Sequence, residues 1–462
     1  MAMVSQFWNA FGELPWQHQL FFVLALVVAF AFEFINGFHD TANAVTTVIY
    51  TKTLKPTPAV LFSGFCNFIG VLLGGTAVAF AIVNLLPVDL LIESKASASI
   101  VMVMSLLLAG VIWNLGTWWM GLPVSSSHTL IGSIMGVGMA NSLMSKGNLQ
   151  GVSWSKAADV GMSLLISPII GFIVAGCLLL VMKRFLRDPR LYIPPGQGEN
   201  PPRWIRGVLL VTCGGVSFAH GSNDGQKGMG LILLVLIGFM PGYYALNIHH
   251  PGLAGELRSS TMTVHKTLQD ATAQESQTLR TEIESIEKLL AGKDELTDVS
   301  SGDRWQLRQA VYRVKNELKD TALPNSAKAG LAKEINTLNR SIEYVPFWVI
   351  VGVALALGIG TTIGYKRIVL TVAEKIGKTH LTYAQGAAAE TIAALTIIAA
   401  DELHLPVSTT QVLSSGIAGT MWANNSGVQG GTLKKIILAW ILTLPASMLI
   451  AALFFTLGNF LF

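Results

Sequence analysis

Residues 96–145 form a run of fifty positions without a single Asp, Glu, Lys or Arg. A helix needs about 20 apolar residues to cross the hydrocarbon core of a bilayer, so this run is long enough to cross it twice. The whole chain has a similar character, since 52% of its 462 residues are hydrophobic and only 13% are charged. Soluble proteins carry about 25% charged residues. The sequence therefore predicts an all-α polytopic membrane protein, and it excludes a disordered chain, a secreted disulfide scaffold and an ordinary cytosolic enzyme.

The charged residues are concentrated in one segment. Residues 247–343 hold 27 of the 58 Lys, Arg, Asp and Glu side chains. Apolar residues recur there at helical spacing, at Val264, Leu268, Leu279, Ile283, Ile286 and Leu290. We therefore expect a polar helical loop that lies outside the membrane. The basic connection at residues 183–204 is predicted to be cytoplasmic from its excess of Lys and Arg, and two further crossings would place the polar loop on the same side.

Apolar stretches divide the remaining sequence into membrane segments. Several stretches are short or interrupted by Gly and Pro, so we expect ten to twelve segments, some of them broken or re-entrant. The stretches are residues 20–35, 58–86, 97–120, 122–143, 160–182, 205–218, 229–246, 345–365, 381–400, 405–422 and 436–462. The predicted domains are an N-terminal membrane repeat (1–182), the basic connection (183–204), the start of a C-terminal repeat (205–246), the polar loop (247–343) and the rest of that repeat (344–462).

Two short motifs each occur twice. Residues 122–128 (Leu-Pro-Val-Ser-Ser-Ser-His) recur as residues 405–411 (Leu-Pro-Val-Ser-Thr-Thr-Gln), and residues 36–40 (Asn-Gly-Phe-His-Asp) are echoed by residues 220–224 (His-Gly-Ser-Asn-Asp). The spacing between the two motifs is longer in the second half by 99 residues, close to the 97 residues of the polar loop. Two homologous halves explain this difference. Paired halves with interrupted helices indicate a transporter whose site lies between them, but hydropathy leaves open whether the halves are inverted or parallel.

The serine-rich motifs predict two helix starts. Proline ends one helix and serine favours the N-cap of the next, and the free N–H groups of a helix N-terminus bind anions. Two such starts could surround one tetrahedral oxyanion with neutral donors. The alternative is a kinked helix whose hydroxyls bond back to their own backbone, and the duplication of the motif favours anion binding.

Asp40 and Asp224 are carboxylates within apolar segments. A charged side chain at the bilayer centre costs about 2.5–3.5 kcal/mol on insertion scales, so each needs a cation, a proton or a partner. Both adjoin Gly and Asn, where we expect the helix to unwind and expose carbonyl oxygens. Together with Asn43, Asp40 offers oxygen ligands for a hard cation or a proton relay. A purely structural pairing with Lys227 is the alternative.

Other ionisable residues lie in or near these segments. Glu33 and Glu390 are further candidates for function, with packing or capping as an equal explanation. The histidines His39, His128 and His220 lie close to the motifs, where a satisfied hydrogen bond is the simpler interpretation.

With these motifs assembled, the chain resembles the inorganic phosphate transporter (Pit) family, and it looks most like the bacterial low-affinity phosphate permeases. Residues 36–44 and 219–228 look like the two signatures of the family, and residues 123–128 and 406–411 look like its paired Ser/Thr motifs. The resemblance covers both membrane halves and leaves out the polar loop. It implies a secondary transporter of inorganic phosphate in the bacterial inner membrane, built from two inverted repeats, which is not an enzyme.

The resemblance also implies roles for individual residues. Contact with phosphate is implied for Ser125, Ser126, Ser127, Ser408, Thr409 and Thr410. A place in the cation or proton path is implied for Asp40, Asn43 and Asp224. We predict that Asn223, Lys227 and His39 take part in the same coupling, and that Asp40 and Asp224 can serve as metal ligands. Sodium-coupled members carry Gly-x-Asn-Asp-x-x-Asn in both signatures, whereas here His39 replaces the first Asn and Lys227 replaces the last. Gln411 also stands where a histidine is usual.

These departures lead to a hypothesis about coupling. Lys227 would supply a fixed positive charge where other members bind sodium, so that uptake is driven by protons. Bacterial relatives are thought to carry phosphate as a neutral complex with a divalent metal such as magnesium, and the resemblance implies the same cargo here. The alternative is a sodium-coupled transporter of phosphate or of another tetrahedral oxyanion. A channel or a membrane enzyme is a more distant alternative, and the sequence lacks an evident nucleophile–base pair.

The expected partners follow from this interpretation. They are inorganic phosphate, with arsenate as a competitor of the same shape and charge, and the lipid bilayer. No nucleic acid and no resident cofactor are expected, and a homodimer is an assembly that the sequence allows.

Overall fold

The computed structural model describes residues 2–85, 96–149, 152–196, 201–270, 277–320 and 330–461. Within these ranges the chain is helical, with two short 3₁₀ turns (Pro189–Leu191 and Leu296–Asp298) and an isolated bridge between Gly377 and Val428. The predicted all-α class is therefore confirmed. Three positions named by the sequence analysis lie outside the described part: the Asn43 side chain, and Leu86 and Phe462 at the ends of two predicted segments.

The helices are numbered in chain order. They are α1 (Ala2–Gly12), α2 (Trp16–Tyr50), α3 (Pro56–Leu73), α4 (Ala77–Val83), α5 (Ala96–Trp119), α6 (Ser126–Lys146), α7 (Trp154–Phe185), α8 (Arg203–Phe239), α9 (Pro241–Tyr244), α10 (Leu253–Asp270), α11 (Gln277–Leu290), α12 (Ser301–Asp320), α13 (Ala332–Ile342), α14 (Phe347–Thr361), α15 (Lys366–Glu374), α16 (Tyr383–Glu402), α17 (Thr409–Ala423) and α18 (Gly430–Leu461).

Two compact units divide the chain. The first, here called the polar unit, comprises Met1–Val23 and Leu234–Val345, and the second, here called the membrane unit, comprises Leu24–Leu233 and Pro346–Phe462. In the polar unit α10 packs against α11 and α13, and α12 packs against α11 and α13. The six apolar residues of the predicted stripe are all 0% exposed, so the helical stripe is confirmed.

A buried arginine fastens the polar unit internally. Arg308 donates from Nη1 to the carbonyl oxygens of Ala245 (2.8 Å) and Ile342 (2.6 Å). Burial lowers the pKa of its guanidinium to about 10. The side chain thus satisfies backbone groups at both ends of the polar segment, which water would otherwise have to solvate.

Among the residues that the structure describes, six helices are long and apolar enough to span a membrane by themselves: α2, α3, α5, α7, α16 and α18. Taking α13 and α14 as one broken span would add a seventh. The predicted total of ten to twelve segments includes helices such as α6 and α17 that do not meet this test on their own. That total stays a prediction.

Each serine-rich motif separates two helices, and the helix that follows each motif packs against a helix of the other half. α5 ends at Trp119 and α6 begins at Ser126, and α16 ends at Glu402 before α17 begins at Thr409. α6 packs mainly against α18, from the other half, and α17 packs mainly against α7. This reciprocal packing agrees with two related halves, and their inverted relation stays a prediction.

The helices that carry Asp40 and Asp224 are continuous, contrary to expectation. α2 and α8 run through both signatures without a break, so the predicted unwinding is wrong, and residues 205–218 and much of 229–246 belong to one helix. The glycines serve close helix contact instead. A Cβ at Gly37 would lie 2.4 Å from the Leu357 oxygen, and one at Gly221 would lie 2.2 Å from the Asn67 oxygen.

The contact between α6 and α18 gives a test of this packing. A Cβ at Gly136 would lie 2.1 Å from the carbonyl oxygen of Met448, whereas a Cβ at Gly161 on α7 would meet nothing within 4 Å. We expect Gly136→Ala to destabilise the protein by about 1–3 kcal/mol through overpacking. Gly161→Ala is the matched control and should be neutral or stabilising by up to about 1 kcal/mol. Thermal unfolding of both variants in detergent measures the difference, and equal stability would contradict the packing.

Candidate functional site

The two serine-rich motifs form helix N-termini as predicted. Ser125 caps α6 by accepting a hydrogen bond from the His128 backbone N–H at 3.2 Å, and Ser408 caps α17 by accepting one from Gln411 N–H at 3.3 Å. Both cap residues have extended backbone and are buried. The hydroxyls of these two residues are therefore engaged in capping, as the alternative interpretation of the motif expects.

One further hydroxyl of each motif points toward Asp40. Ser126 Oγ on α6 donates to Asp40 Oδ2 at 3.2 Å, and Thr410 Oγ1 on α17 donates to Asp40 Oδ1. Asp40 is 4% exposed, and the two donors are buried as well. One carboxylate of α2 thus joins the helix starts of both halves, so the structure brings the duplicated motifs together.

A second contact between the motifs is made by Lys227 of α8. Its ammonium donates to Asp224 Oδ1 at 2.5 Å, to Ser127 Oγ at 2.7 Å and to the Val407 carbonyl oxygen at 2.6 Å. Ser127 in turn donates to the same carbonyl oxygen at 3.1 Å. The lysine therefore connects α8, the start of α6 and the residue before the Ser408 cap. A buried cation therefore lies beside the hydroxyls of the two motifs.

His220 lies between the two aspartates. Its Nε2 is 3.2 Å from Asp224 Oδ2 and 3.8 Å from Asp40 Oδ2, but it is not aligned for a hydrogen bond with either. Its Nδ1 is 2.9 Å from Asn67 Oδ1, and Asn67 Nδ2 donates to Thr361 Oγ1, also at 2.9 Å. This orientation leaves Nε2 facing two carboxylates. The potential ligand atoms of Asp40, His220 and Asp224 lie within 4.8 Å of one another, so the three could hold a divalent cation.

His39 lies near the other carboxylate oxygen of Asp40. Its Nδ1 is 3.6 Å from Asp40 Oδ1, and its Nε2 is 3.5 Å from Thr117 Oγ1. The ring is 0% exposed. His39 therefore adjoins the cluster without reaching Asp224 or Lys227 through any contact recorded among the described residues.

Asn223 has a different environment from the one expected of a cation ligand. Its Nδ2 donates to Asp401 Oδ1 at 2.5 Å, and its Oδ1 accepts from Val407 N–H at 3.3 Å. Ser222 Oγ donates to the other oxygen of Asp401 at 2.5 Å. Both polar ends of the amide hold the segment before α17. The sequence analysis missed Asp401, although an acidic residue just before the second Leu-Pro-Val-Ser motif was a signal that could have found it.

Of the residues predicted to contact phosphate, Thr409 remains, and it is buried at the first turn of α17. The further candidates Glu33, Glu390 and His128 are also buried.

Asp40 links Ser126 and Thr410, and Lys227 links Ser127 and Asp224. His220 lies between these two groups, near both aspartates. Buried hydroxyl donors, carboxylates and one ammonium can exchange partners with a small polar ion. Such a centre between two halves of a helical membrane protein is typical of a secondary transporter.

Comparison with known proteins agrees with this class. A family model described as the phosphate transporter family matches residues 36–451. The low-affinity inorganic phosphate transporters PitB and PitA of Escherichia coli K12 are 39% and 40% identical to this chain, and each alignment covers 96% of this chain and 97% of the relative. A low-affinity inorganic phosphate transporter of Buchnera aphidicola from Acyrthosiphon pisum is 40% identical, over 98% of this chain and 99% of that protein.

A solved structure described as the sodium-dependent phosphate transporter has the same fold. It matches with a TM-score of 0.56 and 20% identity, over 96% of this chain and all of that chain. The fold and the buried polar centre define a multi-pass membrane transporter. The chain belongs to the phosphate transporter family.

The pair formed by Lys227 and Asp224 gives a structural test that does not depend on transport. Lys227→Met leaves a buried carboxylate without its cation and should destabilise the protein by about 3–5 kcal/mol. Adding Asp224→Asn removes the orphaned charge, so the double variant should be more stable than Lys227→Met alone. Thermal unfolding of the two single variants and the double variant gives the coupling energy. If the losses in stability of the two single variants add up to the loss in the double variant, the two side chains do not interact.

Proposed function

We propose that this protein takes up inorganic phosphate by proton symport, with the phosphate held between the starts of α6 and α17. The contacts of Ser126 and Thr410 with one shared carboxylate carry the proposal. Each oxygen of Asp40 accepts a hydroxyl from a different half, and phosphate oxygens can accept the same donors. Ser125, Ser127, Ser408 and Thr409 complete the proposed binding set from the same two helix starts, where backbone N–H groups favour anions.

Asp40 and Asp224 create a difficulty for a bare phosphate anion. Two carboxylates beside the proposed site repel a dianion, and the low dielectric of a buried site strengthens that repulsion. A divalent cation held by Asp40, His220 and Asp224 would reverse it. The cation would also satisfy His220 Nε2, which faces both carboxylates without a hydrogen bond. This arrangement supports the proposal that phosphate travels as a neutral complex with a divalent metal such as magnesium, and the metal is then part of the cargo.

Lys227 supports proton coupling rather than sodium coupling. Its ammonium is surrounded by a carboxylate oxygen, a hydroxyl oxygen and a backbone carbonyl oxygen, which are the ligand types that hard cations take. A covalently attached cation in this position competes with a sodium ion for the same oxygens. Among the described residues, no lysine contacts Asp40. Sodium coupling through that aspartate is therefore the second candidate function.

The proposed cycle is alternating access. The phosphate complex takes over the hydroxyls of Ser126 and Thr410 from Asp40, and the two halves then move against each other around the bound ion. The described contacts fit a transporter. Competition by arsenate, location in a bacterial inner membrane and assembly as a homodimer remain predictions of the same proposal.

Imposed gradients test the coupling ion. In proteoliposomes loaded without phosphate, an inwardly directed proton gradient should drive accumulation of labelled phosphate in the presence of Mg²⁺, and a sodium gradient alone should not. Lys227→Asn places the amide of sodium-coupled members at this position, so sodium should then stimulate uptake. Accumulation by the unmodified protein on a sodium gradient alone would refute the role proposed for Lys227.

The hydroxyl donors can be tested separately from coupling. Ser126→Ala combined with Thr410→Val should raise the phosphate concentration needed for half-maximal uptake by about tenfold or more, since each hydrogen bond to a charged group contributes about 1.5–3 kcal/mol. Ser133→Ala is the matched control, because Ser133 is a buried α6 serine whose hydroxyl donates to the Thr129 carbonyl oxygen at 2.8 Å. Equal half-saturation in all three proteins would remove these hydroxyls from the phosphate site.

A further inference from the structure

Glu33 is a buried carboxyl group that the proposed phosphate site does not use. It lies on α2, seven residues before Asp40, and is 0% exposed. Neither of its carboxyl oxygens has an aligned hydrogen-bond partner among the groups that the structure describes, although the Asn36 side chain of the same helix lies close enough to interact with the carboxyl group. Glu390 differs, since Thr212 donates to its Oε2 at 2.6 Å. Asp40, Asp224 and Asp401 likewise accept hydrogen bonds.

The Glu33 carboxyl group lies over the backbone of α8 at Gly228. A Cβ at Gly228 would be 2.3 Å from Glu33 Cδ and 2.6 Å from both oxygens, so only glycine leaves room for this side chain. Gly228 directly follows Lys227. The carboxyl group therefore lies beside the helix segment that carries the Lys227–Asp224 pair.

The ionisable groups near Glu33 belong to two helices. Asp224, Lys227 and His220 of α8 are within electrostatic range, and His39 and Asp40 follow on α2 itself. The other helices that pack along this part of α2 are α5, through Gly110 against Phe32, and α14, through Gly360 against Phe34. Neither α5 nor α14 contains Asp, Glu, His, Lys or Arg. The charge around Glu33 is thus set by α8 and by the proposed binding centre.

We propose that Glu33 binds the proton that is transported together with phosphate, an inference that rests on the proton symport proposed above. An ionised carboxylate buried without an aligned hydrogen bond is strongly unfavourable, whereas burial of the neutral acid costs far less. In the described state Glu33 is therefore a carboxylic acid. The proton arrives from water on one side, converts the carboxylate to the acid, and leaves to water on the other side, with no other bond changed.

Charge explains how this proton is coupled to phosphate. While Lys227 pairs with Asp224, their charges largely cancel at Glu33. The phosphate anion that approaches Lys227 brings negative charge toward Glu33, and negative charge favours the protonated acid. The metal ion at Asp224 acts in the opposite direction, so the proposed coupling requires the contribution of the anion to be the larger. Phosphate binding then strengthens proton binding at Glu33, and by linkage the proton strengthens phosphate binding to the same degree. A positive coupling of this sign is what a symporter requires.

The decisive experiment compares exchange with accumulation in proteoliposomes. Glu33→Gln imitates the protonated acid permanently. We expect it to exchange labelled for unlabelled phosphate at equal pH on both sides, yet to accumulate no phosphate when a proton gradient is imposed. Glu402→Gln, which neutralises an exposed carboxylate at the end of α16, is the control and should accumulate phosphate like the unmodified protein.

The pH dependence of phosphate binding gives a second readout. If one proton binds together with phosphate, the phosphate affinity changes about tenfold per pH unit over the pH range in which the free protein lacks this proton and the phosphate complex holds it. The titration of phosphate itself is common to all variants and cancels in the comparison. The phosphate affinity of Glu33→Gln, measured by calorimetry in Mg²⁺ buffers, should depend on pH less steeply than that of the unmodified protein, by the equivalent of one proton. Glu33→Asp keeps a carboxyl group and should retain accumulation with a displaced pH midpoint, which provides the test if Glu33→Gln does not fold.

Several outcomes would overturn the assignment. The assignment is wrong if Glu33→Gln accumulates phosphate on a proton gradient as well as the unmodified protein does. It is also wrong if the pH midpoint of accumulation by Glu33→Asp equals that of the unmodified protein. Loss of exchange together with accumulation, in Glu33→Gln protein that elutes normally, would indicate a role in phosphate binding or in the conformational step instead. If the unmodified protein itself ignores the proton gradient, proton symport fails, and the result is distinguishable because it does not involve a variant.

Discussion

The attraction between Lys227 and Asp224 is the interaction on which the centre of the membrane unit depends. An ammonium and a carboxylate taken out of water each cost several kcal/mol, and the loss is offset only when the remaining donors and acceptors are also satisfied. Lys227 meets this requirement with the Ser127 hydroxyl and the Val407 carbonyl oxygen. The buried charge therefore determines where the start of α6 and the segment before α17 must lie relative to α8.

Close helix packing makes this arrangement sterically accessible. Along α8 the glycines at 221, 225 and 228 face Asn67, Val71 and Glu33, at distances that a Cβ could not occupy. The same glycines explain why α8 stays continuous through the signature. A helix that packs closely against its neighbours keeps its backbone hydrogen bonds and does not unwind to expose its carbonyl oxygens. Van der Waals contact of small residues is the main force that brings helices together in lipid. The polar centre and the glycine contacts therefore depend on each other.

Much of the site could be predicted from the sequence because its elements obey local rules. The Pro-Val-Ser pattern identifies an N-cap wherever it occurs, and its repetition identified both helix starts that meet at Asp40. The wrong inference, helix unwinding at the signatures, concerned residues whose role is tertiary. Glycine beside Asp40 and Asp224 permits unwinding as well as close packing, and only the partner helices α14 and α3 decide between them. The coupling role of Asn223 stays a prediction, and the sequence did not indicate that Asp401 and Val407 engage both ends of its amide. Contacts over 178 and 184 residues of sequence leave no local signal.

In the proposed mechanism, the same contacts that hold the centre together are the ones that a substrate must replace. Ser126 and Thr410 belong to different halves, and Asp40 links them only while it accepts both hydroxyls. A phosphate oxygen that accepts these donors releases Asp40, and a metal ion between Asp40 and Asp224 compensates the freed carboxylate. The substrate then becomes the link between α6 and α17. Because α6 packs on α18 and α17 packs on α7, a shift at this link moves helices of both halves at once. Tight binding in a single rigid arrangement would trap the ion, whereas exchange of partners of similar strength allows the ion to enter on one side and leave on the other.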